Sequence, residues 1–273
     1  MNKYKLLNES LKAIKEGVIN LLVLKGEAGF GKTFTTLKYC RENEIKHKYV
    51  NTYTTPLSFY KLLYENRESE VLVFDDLSSI SDPTIKAMLK AICEGEETKE
   101  RVINYYSTSS ILEKEGLPES FEFKPKVVLI FNQSPAGFES IINRGVEIEF
   151  NFTFKQKLLI FNHFQAEADI SQVILDYLKT DCNASTQNLS IRSLVILSKL
   201  HQKGYDWELF AKEILKKDED LNALIVSSVT DWCHSTGLSR RTYYRQRKKN
   251  GLRNSAKVPQ VPPRVIIKEK VEK

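Results

Sequence analysis

Apolar positions fall in two rhythms along this chain. Leu6, Leu7, Leu11 and Ile14 recur at helical spacing and predict a helix over residues 4–16. Val18–Leu24 is a short apolar run with the length of a buried strand. Thr33–Arg41 then reads as a helix, and Lys48–Asn51 as a second strand. Thr55–Tyr64 is helical, with Pro56 suited to its first turn. Val71, Leu72, Val73 and Phe74 make a buried strand over Glu70–Leu77, and Asp82–Cys93 is again helical. Lys126–Phe131 and Val146–Phe152 are further strands. Apolar β runs alternating with helices predict an α/β fold in three layers, a mostly parallel sheet between helices.

Past residue 153 only the helical rhythm persists. Lys155–Ala168, Ile170–Leu178, Ser190–Gln202 and Trp207–Lys216 predict an all-helical lid. A helical pair, Asn222–His234 and Ser239–Asn250, flanks Ser235-Thr236-Gly237. The tail from Ser255 is basic and contains Pro259, Pro262 and Pro263, a composition that predicts disorder. The expected units are therefore 1–153, 154–218, 219–254 and 255–273.

Charge sharpens this division. The net charge is +6, but residues 240–273 hold 12 Lys/Arg against 2 Asp/Glu, and the preceding chain 29 against 33. A mildly acidic body with a strongly basic end points to a polyanionic partner. Cys40, Cys93, Cys182 and Cys233 are scattered without a CxxC pair, which indicates neither a zinc site nor a disulfide framework. No apolar run nears the ~18 residues of a membrane span. The expectation is a cytoplasmic protein with no membrane partner.

The candidate chemistry starts between the first strand and its helix. Gly26-Glu27-Ala28-Gly29-Phe30-Gly31-Lys32-Thr33 fits GxxxxGK[ST], with Phe34 next in the chain. Glycines let backbone N–H groups curl around phosphate oxygens, and the helix turns its positive end to them. Lys32 would reach the β- and γ-phosphates, and Thr33 would ligate Mg²⁺. ATP and Mg²⁺ are the expected cofactors. Asp75 ends a buried strand on the edge that faces ligands in open α/β sheets, where a carboxylate can hold the metal. Asp76 beside it can approach an attacking water.

The order of these elements resembles that of the AAA+ ATPases, a likeness covering roughly residues 18–215. Val71–Asp76 is similar to the Walker B strand of that family, which usually ends in Asp-Glu; this chain has Asp-Asp. Val127–Asn132 resembles the sensor 1 strand, which implies that Asn132 orients water against the γ-phosphate. Ser140–Arg144 resembles the arginine-finger region, which implies that Arg144 reaches the nucleotide of a neighbouring subunit in a homo-oligomer. Ser190–Leu194 looks like sensor 2, with Arg192 on the γ-phosphate. The segments 55–64 and 119–124 look most like small ATPases of phages, plasmids and other mobile elements.

Thr236–Arg245 resembles the turn and recognition helix of helix-turn-helix DNA-binding proteins. Gly237 permits a positive-φ turn, Leu238 can pack inward and Ser239 can cap the next helix. Val226, Val229, Trp232 and Cys233 are the expected core. Arg240, Arg241, Thr242, Tyr244, Arg245 and Lys248, with Arg247 and Lys249, would face DNA bases and phosphates. Two functions follow. One is an ATPase motor or switch on DNA, with a helicase, transposase or replication protein as partner in replication initiation, helicase loading or transposition. The other is a nucleotide-gated transcriptional regulator with slow hydrolysis. A small-molecule kinase accounts for neither Arg192 nor the basic C-terminus.

Overall fold

The computed structural model of the chain describes residues 2–51, 54–77, 81–94, 101–106, 110–133, 135 and 137–252. The basic tail from Ser255 lies outside them. Contacts divide the described residues into two compact units, one within 1–168 and 190–195, the other within 169–189 and 196–252.

The first unit is built on five parallel strands: β1 (Leu21–Gly26), β2 (His47–Val50), β3 (Val71–Asp75), β6 (Lys126–Phe131) and β7 (Val146–Phe150). Their order is β2-β3-β6-β1-β7. The central strands are apolar on both faces, as a sheet covered on both sides requires. Leu21, Val23, Leu72, Phe74, Val127 and Leu129 share one buried cluster with α3 (Pro56–Glu65) and α4 (Pro83–Ile92). On alternate positions Leu22, Leu24, Val73, Val128 and Ile130 are equally buried. There α1 (Asn2–Lys15) packs on β1 and β7 and against α2 (Lys32–Glu42).

Thr55 caps α3 and Asp82 caps α4, each followed by a proline in the first turn. Two three-residue strands, β4 (Val102–Asn104) and β5 (Ser120–Glu122), form an antiparallel pair inserted between α4 and β6. The short helices α5 (Ile111–Lys114) and α6 (Glu139–Ile142) complete the strand connections, and α7 (Phe154–His163) opens with a Thr153–Gln156 capping box.

The second unit is helical: α8 (Gln172–Asp181), the later turns of α9 (Ile191–Gln202), α10 (Trp207–Ile214), α11 (Glu219–Val226), α12 (Val229–Thr236) and α13 (Arg240–Lys249). The helix expected over Asn222–His234 is two helices. Ser227 and Ser228 are both extended, and Ser228 Oγ accepts from the Asp231 N–H at 3.1 Å. A serine that caps the following turn breaks the helix before it. The core here also differs from expectation. Val226 (53% exposed) and Leu238 (44%) face solvent, while Leu224, Trp232 and Tyr243 form the buried cluster. Among the described residues no helix is long and apolar enough to cross a membrane.

Candidate functional site

Strand order decides which loops meet. β6 lies between β1 and β3, so the C-terminal ends of these three strands are neighbours. They carry the Gly-rich loop, Asn132, and Asp75 with Asp76. A cleft of about 250 Å³ opens there, lined by Ala28, Gly29, Gly31, Lys32, Thr33, Phe34, Asp75, Asp76, Asn132 and Arg192.

The loop conformation follows from its glycines and one aromatic ring. A Cβ on Gly26 (φ 129°) would stand 2.6 Å from the Phe150 carbonyl, so β7 can approach only a glycine. Gly31, at φ 74°, opens α2 in the left-handed region, and no side chain caps that helix. Its first N–H groups keep the anion-binding capacity of a bare helix start. Phe30 is 1% exposed, its ring packed 5.2 Å from that of Phe152 and 6.0 Å from that of Phe161, and the Tyr4 hydroxyl donates to its carbonyl at 2.8 Å. Phe30 thus anchors the loop, and only its backbone is left for a ligand. The Glu27 carboxylate pairs with Lys157 on α7.

The polar groups of the cleft bond to one another. Lys32 Nζ donates to the Gly26 carbonyl (2.7 Å), the Glu27 carbonyl (3.0 Å) and Asn132 Oδ1 (3.4 Å). Burial holds its ammonium below the usual lysine range, against the opposing pull of Asp76, Asp75 and Glu27. Thr33 Oγ1 donates to Asp75 Oδ2 at 2.7 Å. Asn132 Nδ2 donates to Asp76 Oδ2 at 2.8 Å. Asp76 has φ 47°, a left-handed conformation rare for a non-glycine residue, and its N–H is bonded to the Ile130 carbonyl. Asn132 therefore bridges the lysine and the second aspartate.

Arg144 is placed apart from this cleft's lining. Its guanidinium donates to the Ser140 carbonyl and lies 3.9 Å from Glu94. In the second unit, α12 ends at Gly237 (φ 67°), and Ser239 Oγ accepts from the Thr242 N–H at 3.3 Å to start α13. Arg240, Arg241, Tyr244, Arg245 and Lys248 are exposed and Thr242 partly so. Arg247 instead turns inward, bonded to the Leu224 carbonyl and the Tyr243 hydroxyl.

Two features went unread in the sequence. Tyr49 on β2 donates to Asp75 Oδ2 at 3.1 Å; an edge strand of mixed polarity gives no sign of which strand it pairs. A largely apolar pocket of about 230 Å³ shares Gly29, Gly31, Phe34 and Arg192 with the cleft and adds Phe164, Glu167, Ala168 and Ile191. These residues are spread over some 160 positions, beyond the reach of any local pattern.

The whole-chain comparison with solved structures accords with this topology. Thermotoga maritima RuvB, described as a Holliday junction branch migration motor, aligns at 16% identity and a TM-score of 0.53, covering 90% of this chain and 86% of that one. A single-residue variant of it aligns at 15% identity with the same score and coverage. The fold is the AAA+ P-loop fold. The mostly parallel sheet between helices and the helical C-terminal region expected from the sequence are both present. An uncharacterized 36.7 kDa protein from the nrdC–mobD intergenic region of Enterobacteria phage T4 is 31% identical over 151 residues, 54% of this chain. The chain spans 45% of that relative's length. No protein-family profile matches the chain.

Proposed function

We propose that this protein binds Mg-ATP in the AAA+ cleft, hydrolyses it and acts on DNA through α13. The carrying observation is the convergence of Lys32, Thr33, Asp75, Asp76, Asn132 and Arg192 on one cleft from four separate stretches of chain. The bare start of α2 and the Lys32 ammonium take the phosphates. The neighbouring apolar pocket between Phe34, Phe164 and Ile191 takes the base.

The donor set suits Mg²⁺. This ion binds one or two protein oxygens and completes its shell with phosphates and water, and the Thr33 hydroxyl and Asp75 carboxylate stand 2.7 Å apart. When bound, the ion supplies charge neutralisation on the transferring phosphoryl group. The protein's own groups do the rest. Asp76, fixed by Asn132, orients and deprotonates the attacking water. Arg192 stabilises charge on the γ-phosphate. Arg144 serves the site of a neighbouring subunit in a homo-oligomer.

On DNA, the row Ser239, Arg240, Arg241, Thr242, Tyr244, Arg245 and Lys248 contacts phosphates and base edges as a helix-turn-helix. A role in replication initiation, helicase loading or transposition of a mobile element suits a DNA-binding ATPase that has a phage relative. One observation favours the second reading, a nucleotide-gated regulator with slow turnover: Asp76 carries a shorter arm than the family's usual Glu.

Turnover and mass of the assembly decide between them. On the motor reading, Mg-ATP raises the oligomer mass, Arg144→Ala abolishes turnover, and mixing that variant with Lys32→Ala restores part of it. A monomer or dimer with negligible turnover and ATP-sensitive promoter binding would establish the regulator instead.

A further inference from the structure

We propose that Tyr49 is a positioning residue for the divalent cation held by Asp75, an inference that rests on reading the cleft as a Mg-nucleotide site. Register brings the two together. Tyr49 on β2 stands opposite Val73 on β3, and Asp75 follows two residues later on the same face of the sheet. The long phenolic side chain reaches diagonally along that face, and its hydroxyl donates to Asp75 Oδ2 at 3.1 Å.

The direction of this bond is set by a third residue. Asn51 Nδ2 donates to the Tyr49 oxygen at 3.1 Å, so the phenol's single proton is left for the carboxylate. Thr33 Oγ1 donates to the same Oδ2 at 2.7 Å. Two donors on one oxygen from two different elements fix the plane of the carboxylate, and with it the direction of its other oxygen. Outer hydrogen bonds of this kind orient metal-binding carboxylates and raise metal affinity.

Tyr49 is not part of the cleft lining, so it acts through Asp75 and not on the nucleotide. It is 37% exposed on an edge strand, which makes a purely packing role a poor account of it. Its counterpart at the other end of the chain of bonds, Asn51, is exposed as well. The arrangement Asn51–Tyr49–Asp75–Thr33 joins β2, β3 and α2 in one hydrogen-bonded line beside the phosphate loop.

The test is Mn²⁺ binding to the full chain, followed by electron paramagnetic resonance in the presence of ADP. Tyr49→Phe removes one oxygen atom and keeps the ring. It should weaken Mn²⁺ binding about 10-fold, and leave ADP affinity in EDTA unchanged. Asn51→Ala should weaken it less, since the Tyr49 donor remains. Equal Mn²⁺ affinity in the wild-type and Tyr49→Phe chains would overturn the proposal. So would a parallel loss of metal-free ADP binding, which marks a general structural role. If the wild-type chain takes up no Mn²⁺ beside ADP, or Thr33→Ala binds it as well as wild type, the reading of the site itself falls and this inference with it.

Discussion

Lys32, Asp75 and Asp76 in the cleft are each tied to a partner across the sheet edge. On α13, Arg240, Arg241, Arg245 and Lys248 stand exposed on one short helix. The cleft groups are held by bonds to one another, because the strand order delivers them to one place. The helix instead spreads its charges along an exposed surface. A pre-bonded constellation suits one ligand of fixed shape, and its energetics concentrate in a few residues. An exposed basic row suits a long polyanion, and its contributions are spread evenly and weaken with salt.

Four outcomes would sharpen or break that contrast. The largest concerns the support of α13. Trp232 is buried against Tyr243 with ring centroids 5.3 Å apart. Trp232→Ala should destabilise the α11–α13 cluster by about 4 kcal/mol, read as loss of hydrogen-exchange protection there. Nucleotide affinity should hold; a fall in step with the melting would mean that the two regions are not independent.

Next comes the cleft. Lys32→Ala removes a buried charge with three bonds, and should cost about 3 kcal/mol of nucleotide binding, roughly 100-fold in Kd. Calorimetry measures it, and DNA affinity without nucleotide should stay as it was. A smaller effect follows on α13. Arg240→Ala with Arg241→Ala should weaken duplex binding about 10-fold and lower the salt slope by about 2. An unchanged slope would take these residues off the phosphates.

The smallest effect is in pH. Burial already holds Lys32 below the usual lysine range in the free protein, and phosphate favours its charged form. Binding therefore takes up protons at alkaline pH. Affinity should be full at neutral pH and fall as pH rises through the lowered Lys32 value. Affinity that is flat over that range would separate Lys32 from the phosphates.

The sheet was legible because its strands are buried on both faces, so Val71–Phe74 and Val127–Phe131 read as continuous apolar runs. The phosphate loop was legible for a related reason: backbone curvature requires glycine at fixed spacing, which survives as a written pattern. The β4–β5 pair was not, since three-residue strands with one buried side chain each carry too little periodicity. The α11–α12 break was hidden by apolar spacing that runs on across Ser227 and Ser228, where local capping wins. Tyr49 was invisible for a topological reason, as its partner is set by strand order. Leu238 was expected inside and lies outside, because Tyr243 on the next helix fills the space over Trp232.

In the proposed function, nucleotide turnover in the cleft is coupled to DNA held by the basic end. Steady-state hydrolysis of Mg-ATP by the full chain, with and without duplex DNA, measures that coupling. Turnover should be faster on DNA, and that gain should be lost in both Lys32→Ala and the Arg240→Ala, Arg241→Ala double variant. Turnover that is the same with and without DNA would contradict it.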